Sequence, residues 1–295
     1  MAPVRTGTAG LDRGTAIIQN GLFLEAHGET DRGIVRENNE DSFIVAELVR
    51  GASRPGKSIQ GRPLAGRSFL FAVADGMGGA PAGEVAADLA IDTIYRSLLD
   101  RADLPMLSQR EAPRALLRAV EEANARIYRM GRSSPQHRGM GATMTAVLLT
   151  PGGLQYSHVG DSRAYLLRGG TLQQLTRDHS LYTYLVEDCR KTPEEAEEYR
   201  NVILQALGVK ADVEVDTGSV PIHAGDRVLV CSDGLTNMME DSEIQGLLTN
   251  APSVAGACAT LMSEALQRGG LDNITIIAIQ VLGGVPSALA DTRHS

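Results

Sequence analysis

Residues 68–77 read SFLFAVADGM, and this stretch decides the fold class. Its apolar residues are consecutive rather than alternating, which is typical of a strand buried on both faces. Residues 227–231, RVLVC, repeat the pattern. Each of these predicted strands is followed by an aspartate and a glycine, at Asp75-Gly76 and Asp233-Gly234.

The surrounding chain indicates a layered domain. Further short β-like runs occur at 42–48, 145–149, 154–159, 164–168 and 273–281. Three segments instead space their apolar residues three or four positions apart, which predicts an apolar stripe along a helix. These segments run from Ala87 to Leu98, from Leu116 to Ile127 and from Val254 to Ala265. Many strands with a few amphipathic helices predict an α+β domain in which helices cover sheets.

Composition excludes several classes of protein. The chain has 295 residues, a net charge of -8 and 4% aromatic residues, so a nucleic-acid-binding surface is not expected. No apolar run approaches the roughly 20 residues of a membrane span, and the N-terminus lacks the apolar core of a signal peptide. Cys189, Cys231 and Cys258 are too few and too widely spaced for a disulfide framework or a cysteine zinc site. We therefore expect a cytoplasmic protein.

Two segments interrupt the regular pattern within a predicted domain at 20–283. Residues 50–67 carry five basic and no acidic residues together with Gly and Pro, which predicts an exposed loop. Residues 178–208 are acidic and are predicted to be a mostly helical insertion. The ends, 1–19 and 284–295, are predicted to be flexible tails.

Five aspartates lie at the ends of predicted strands, namely Asp41, Asp75, Asp161, Asp233 and Asp272. Each alone is ordinary turn chemistry. If the strand ends meet, the carboxylates repel one another, so basic residues or a cation must neutralise them. Arg163 is one of few basic neighbours in sequence, which favours a cation. An all-oxygen ligand set favours magnesium or manganese over zinc.

At these residues the sequence resembles the metal-dependent serine/threonine phosphatases of the protein phosphatase 2C family, in their bacterial DGMGG form. The resemblance extends from about Glu25 to Val281 in six ordered blocks: DRGIVRENNEDSF (31–43), VADGMGGAPAGEVAA (73–87), GMGATMTAVLL (139–149), HVGDSRAYLLRGGTLQQLTRDHSL (158–181), LVCSDGL (229–235) and LDNITIIAI (271–279). It implies a four-layer α-β-β-α sandwich, with two central, mainly antiparallel sheets flanked by helices.

The resemblance also implies roles for the aspartates. Asp75 would bridge two Mn²⁺ or Mg²⁺ ions, and the Gly76 carbonyl would bind one of them. Asp233 and Asp272 would hold the other ion.

Four further residues match the family pattern. Asp41, with Glu40 beside it, would lie close to the ions and act partly through water. Asp161 resembles the residue that supports a third, weaker metal site in bacterial members. Arg36 resembles the arginine that binds the substrate phosphate, where a planar guanidinium can hold two phosphate oxygens.

The implied chemistry is hydrolysis of phosphoserine and phosphothreonine in proteins, in opposition to a bacterial Ser/Thr kinase. Two ions lower the pKa of a shared water, which attacks phosphorus without a phosphoenzyme.

Cys231 lies inside an apolar strand and is interpreted as a core residue rather than a nucleophile. A histidine that some members carry after the Asp-Gly pair is replaced here by Met77, so no general acid is assigned. His27, His137, His158 and His179 are conceivable, but each is more typical of a structural histidine.

Several interpretations stay open at this point. The insertion at 178–208 coincides with the family's variable flap, which either gates substrate access or is a solvated helix. The loop at 50–67 should lie about 20 Å from the metals, and is either solvated or a docking site for an acidic partner.

A non-enzymatic member that binds metal or phosphoprotein, or a metal-stabilised scaffold, is the alternative to an enzyme. The presence of every matching aspartate and of Arg36 argues against both.

Overall fold

A computed structural model describes residues 21–49, 55–79, 81–101 and 111–284. Two antiparallel sheets pack face to face, and helices cover the outer face of each sheet. The predicted four-layer α-β-β-α sandwich is therefore confirmed. The predicted tails lie outside the described residues, apart from Gly284.

The first sheet has the strand order β3-β1-β12-β11-β8-β9. Its strands are β1 (Leu22–Asp31), β3 (Ser58–Pro63), β8 (Arg163–Arg168), β9 (Thr171–Gln174), β11 (Arg227–Cys231) and β12 (Ile274–Gly283). The second sheet has the order β10-β7-β6-β4-β2, and β5 pairs with the end of β4. Its strands are β2 (Asp41–Glu47), β4 (Phe69–Met77), β5 (Gly141–Ala142), β6 (Met144–Thr150), β7 (Gly153–Val159) and β10 (Asp216–Val220).

Four longer helices form the outer layers. Helices α1 (Ala82–Leu99) and α2 (Glu111–Ser133) pack on the second sheet, whereas α3 (Asp241–Asn250) and α4 (Val254–Gln267) pack on the first. The three predicted helical stripes lie within α1, α2 and α4, and helix α3 was not predicted. Among the described residues, no helix combines the length and apolar composition that a bilayer span requires.

Strand β4 shows why the opening stretch of consecutive apolar residues decides the fold. Phe69, Phe71 and Val73 point into the core between the sheets. Leu70 and Ala72, which alternate with them, point towards helices α1 and α2. A strand enclosed by a sheet on one face and helices on the other has no solvated face, so every residue from Phe69 to Ala74 is apolar.

The prediction of a loop throughout residues 50–67 was wrong in part. Residues 58–63 form the edge strand β3, which pairs with β1, whereas 50–54 lie outside the described residues. An edge strand tolerates Pro63 and the glycine at 61 because its outer side needs no partner. Two of the five basic residues, Arg62 and Arg67, form ion pairs with Glu47.

The insertion at 178–208 is less helical than predicted. It contains short turns at Leu181–Thr183, Tyr184–Asp188, Pro193–Ala196 and Glu197–Tyr199. The predicted start at Thr192 is confirmed: its side chain accepts a hydrogen bond from the Glu195 amide, and the Glu195 carboxylate accepts one from the Thr192 amide.

Candidate metal centre

Asp41 and Asp75 lie side by side where β2 begins and β4 approaches its end. The two strands are antiparallel, and their register places Asp41 opposite Asp75. One carboxylate oxygen of Asp41, Oδ2, accepts hydrogen bonds from Ser232 Oγ at 2.8 Å and from Thr275 Oγ1 at 2.6 Å. Because Thr275 lies in β12 and Ser232 directly follows β11, Asp41 ties the two sheets together at this edge.

Asp233 and Asp272 come from the first sheet. Asp233 starts a single helical turn directly after β11, and its Oδ2 accepts a hydrogen bond from Asn237 Nδ2 at 3.0 Å. Asp272 lies just before β12, where its Oδ2 accepts a hydrogen bond from Arg36 at 2.6 Å. The structure thus brings these two predicted residues to the same edge as Asp41 and Asp75.

Gly76 occupies a position that admits no side chain. A Cβ atom there would lie 2.2 Å from the carbonyl oxygen of Gly83 and 2.7 Å from that of Glu40. The Gly76 amide donates to the Glu40 carbonyl at 3.1 Å. Only glycine lets these three backbone segments approach so closely beside the carboxylates.

Asp161 lies in the turn between β7 and β8 and is 6% exposed. Its neighbour in sequence, Arg163, is engaged elsewhere: it donates to both carboxylate oxygens of Asp178 at 2.7–3.0 Å. The one basic residue that sequence placed near Asp161 is therefore held by another acid.

Burial and mutual repulsion disfavour the charged form of these carboxylates. Burial raises the pKa of Asp41 to about 7, although the Thr275 and Ser232 hydroxyls oppose the shift. Burial also raises the pKa of Asp233 to about 6, with repulsion from Asp272 adding to it. The pKa values of Asp75 and Asp161 are well above their usual range, again through burial first and neighbouring carboxylates second.

Three buried oxygens in this cluster accept no hydrogen bond, and all three are carboxylate Oδ1 atoms, of Asp41, Asp161 and Asp233. Within the described ranges, no group of three or more Asp, Glu, His or Cys side chains is arranged as a ready-made metal site. An open set of carboxylates with unpartnered oxygens is what Mg²⁺ or Mn²⁺ uses, because such an ion keeps several waters in its shell. The unpartnered carboxylate oxygens, rather than a preformed ligand set, therefore fit a hard divalent cation.

Among the described residues, Arg36 is the one basic side chain that forms a direct ion pair with this cluster. It lies on the loop between β1 and β2, and its guanidinium is about half exposed while it contacts Asp272. The hydrogen bond that Arg36 donates to Asp272, together with the charges of Asp75 and Asp233, raises the pKa of Arg36. Its exposed face is free to contact a group that approaches the carboxylates from solvent.

Comparison with known proteins identifies the family of this chain. The family model for protein phosphatase 2C matches residues 58–269. The chain belongs to the protein phosphatase 2C family.

Relatives of the phosphatase match over most of its length. The serine/threonine phosphatase stp of Listeria welshimeri is 35% identical over 259 residues, which cover 87% of this chain and 96% of that protein. The solved serine/threonine phosphatase of S. agalactiae has a TM-score of 0.75 and 33% identity, and the match covers 87% of this chain and 99% of that one. The catalytic domain of PstP, solved in complex with two manganese ions, has a TM-score of 0.68 and 36% identity, covering 88% and 99%.

Asn273 is a residue of the candidate site that sequence reasoning missed. It is 5% exposed, and its Nδ2 donates to the carbonyls of Arg32 and Asn38, both at 2.8 Å. Its Oδ1 accepts from the Glu40 amide at 2.8 Å. Asn273 therefore fixes the loop that carries Arg36. Its position directly after Asp272 was the only available signal.

The structure assigns structural roles to two candidate general acids. His158 is buried between Thr145, at 2.8 Å, and the Arg177 carbonyl, at 3.1 Å, and burial lowers its pKa to about 3. His179 is also buried, where its Nδ1 accepts a hydrogen bond from the Gly160 amide at 3.2 Å.

The cysteines of the phosphatase are free, and two of them are buried. Burial raises the pKa of Cys231 to about 12. It lies among the apolar residues that separate the first sheet from α3 and α4. The position agrees with the sequence interpretation of Cys231 as a core residue.

Proposed function

We propose that this chain is a metal-dependent protein serine/threonine phosphatase that hydrolyses phosphoserine and phosphothreonine directly with water. The observation that carries the proposal is the set of buried, unpartnered carboxylate oxygens of Asp41, Asp161 and Asp233. The guanidinium of Arg36 lies at the edge of the same cluster, where it contacts Asp272. Acids alone would repel a phosphate. Their combination with a cation site and an arginine makes a site for an anionic ester.

The proposed metal ligands are Asp75, the carbonyl of Gly76, Asp233 and Asp272, with Asp41 close by and Asp161 at a third, weaker site. Two bound Mn²⁺ or Mg²⁺ ions would supply a nucleophilic water at neutral pH and positive charge for the phosphoryl oxygens. The PstP structure with two manganese ions supports this number of ions.

The chain's own residues orient the ligands and the substrate. Ser232 and Thr275 hold one oxygen of Asp41 and leave the other free. Asn237 does the same for Asp233. Each carboxylate is thereby fixed with one oxygen available, which lowers the cost of ordering it when a cation binds.

Arg36 is proposed to bind the phosphoryl group. Its two terminal nitrogens can contact two phosphoryl oxygens, so it would orient the group and stabilise the charge that develops there. Its ion pair with Asp272 holds it at the edge of the carboxylate cluster.

A covalent route through the buried cysteines is disfavoured. Cys231 and Cys258 are buried, and burial raises the pKa of each thiol to about 12, so neither is a thiolate at neutral pH. Direct attack by water is consistent with this.

The biological setting is also proposed. The substrates are phosphorylated proteins, and the counterpart would be a bacterial Ser/Thr kinase, as the bacterial relatives suggest. The catalytic domain is proposed to span 20–283, with residues 178–208 as a flap that gates access. A cytoplasmic location stays a prediction from cysteine usage.

The test is release of phosphate from a phosphothreonine peptide with manganese, with magnesium and with a chelator. Asp233→Asn should abolish metal-dependent release, because it removes the charge of a ligand with an unpartnered oxygen. Asp212→Asn, which makes the same change at an exposed position, is the matched control and should retain activity. Release that persists in chelator, or in Asp233→Asn, would overturn the proposal.

A further inference from the structure

A cleft of about 510 Å³ lies beside the metal centre, between the C-terminal end of α2 and the end of the flap. Its lining includes Arg132, Arg138, Gly139 and Val209. The volume is within the range of sites that hold a small ligand or a few side chains. None of the proposed metal ligands lines this cleft, and neither does Arg36.

The cleft is positively charged. Arg132 stacks on the ring of Tyr128, with its guanidinium carbon 5.6 Å from the ring centroid. Arg138 has an exposed side chain. Within the described part of the chain, neither arginine has a carboxylate partner, and no acidic residue lines the cleft. In a chain with a net charge of -8, such a site is suited to an anionic group from outside.

Two backbone contacts connect the cleft to the metal centre. β5 pairs with the end of β4, so that Gly141 lies opposite Met77, the residue after Gly76. A Cβ added to Gly141 would lie 3.2 Å from the Met77 side chain and 3.3 Å from that of Val209 in the cleft wall. The cleft therefore begins at the end of β4, the strand that carries Asp75 and Gly76.

The second contact sets the distance between the metal centre and the cleft. A Cβ added to Gly78 would lie 2.7 Å from the carbonyl oxygen of Gly139, which lines the cleft. Gly78 is two residues beyond Gly76, which is about 7 Å along an extended chain. A bound peptide advances by about 3.3 Å per residue. Arg138 is therefore within reach of a side chain about two to four residues from the phosphorylated one.

We propose that this cleft is a subsite for a second anionic group of the substrate, a carboxylate or a second phosphate, two to four residues from the phosphoserine or phosphothreonine. The inference rests on the proposed function, because it presumes that the phosphoresidue occupies the metal centre. Arginine suits the role because its planar donors match carboxylate and phosphate oxygens in pairs.

The experiment compares phosphothreonine peptides that differ at one position, three residues before or three residues after the phosphothreonine. That position carries alanine, glutamate or a non-hydrolysable phosphonate analogue of phosphoserine, so that only one phosphate can be released. The readout is the ratio of kcat/KM for each anionic peptide to that for the alanine peptide with manganese. Taking the ratio within each variant cancels any change in the metal centre.

For the parent phosphatase, we expect a ratio of about ten on the side that reaches the cleft, as a charged hydrogen bond provides. A larger ratio for the phosphonate than for glutamate would identify a second phosphate as the preferred group. The double variant Arg132→Ala/Arg138→Ala should bring the ratio close to one. Arg118→Ala, which removes the same charge about 21 Å away along α2, should keep the parent ratio.

Two outcomes would overturn the inference. One is a ratio of one for the parent on both sides of the phosphothreonine, and the other is a ratio that survives in the double variant. Both leave the proposed function standing, because phosphate is still released. Failure of the parent to release phosphate from every peptide would instead contradict the proposed function itself.

Discussion

Replacing Asn273 by alanine should uncouple the Arg36 loop from the second half of the site. The amide makes three hydrogen bonds of 2.8 Å, to the carbonyls of Arg32 and Asn38 and from the amide of Glu40. Each such bond contributes about 1 kcal/mol net, and loss of the side chain leaves three backbone groups without a partner. We therefore expect the free energy of unfolding to fall by about 2–3 kcal/mol.

Activity should fall by more than the loss of stability alone would explain. Without Asn273, the loop that carries Arg36 is held less firmly beside Asp272, so kcat/KM for a phosphothreonine peptide should fall by about 100-fold. Urea unfolding and initial rates, both with manganese present, measure the two changes. Asn250→Ala is the control: its amide makes one exposed bond, to the Gly246 carbonyl, and should change unfolding by less than about 1 kcal/mol. Parent-like stability and activity in Asn273→Ala would refute the reasoning.

Three further predictions concern single residues. Arg36→Lys keeps the charge but loses the planar fork, so the KM for a phosphopeptide should rise about tenfold; an unchanged KM would mean that Arg36 does not contact phosphate. Gly76→Ala places a Cβ 2.2 Å from the Gly83 carbonyl oxygen and should cost about 1–3 kcal/mol in urea unfolding. Gly246→Ala, with open space around its Cβ, should be neutral or stabilising, and equal effects of the two would contradict the steric argument. Because burial lowers the pKa of His158 from 6.5 to about 3, the unfolded state binds its proton first as the pH falls. The stability advantage over His158→Gln should therefore decline by roughly 1.4 kcal/mol per pH unit below about pH 6.5, whereas a constant difference from pH 7.5 to 4.5 would count against a neutral, buried His158.

Much of the fold could be predicted from the sequence because burial determines which positions along a helix or strand are apolar. The consecutive apolar residues of β4 correspond to a strand that is covered on both faces. Strand β3 was missed because it is an edge strand with two charged residues in or beside it. It has neither a run of apolar residues nor a strict alternation of apolar and polar residues. The flap was predicted as mostly helical from composition, but only the start at Thr192 carried a specific capping signal.

For the candidate site too, the sequence could predict some features and not others. The aspartates could be located because each follows or precedes an apolar run, and the register of β2 and β4 does place Asp41 opposite Asp75. The sequence could not show that Ser232 and Thr275 hold Asp41, because that contact joins residues about 190 and 230 positions apart. The basic cleft was also out of reach, since it depends on where the end of α2 meets the end of the flap.

Calorimetric titration of manganese into the folded, metal-stripped chain tests the central claim most directly. We expect two tight sites and a weaker third. Asp233→Asn should lose tight binding, because Asp233 holds an unpartnered oxygen in the cluster, while Asp161→Asn should lose only the weakest site. Manganese binding that is the same in the parent and in Asp233→Asn, or no binding by the folded parent, would contradict a metal centre built on these aspartates.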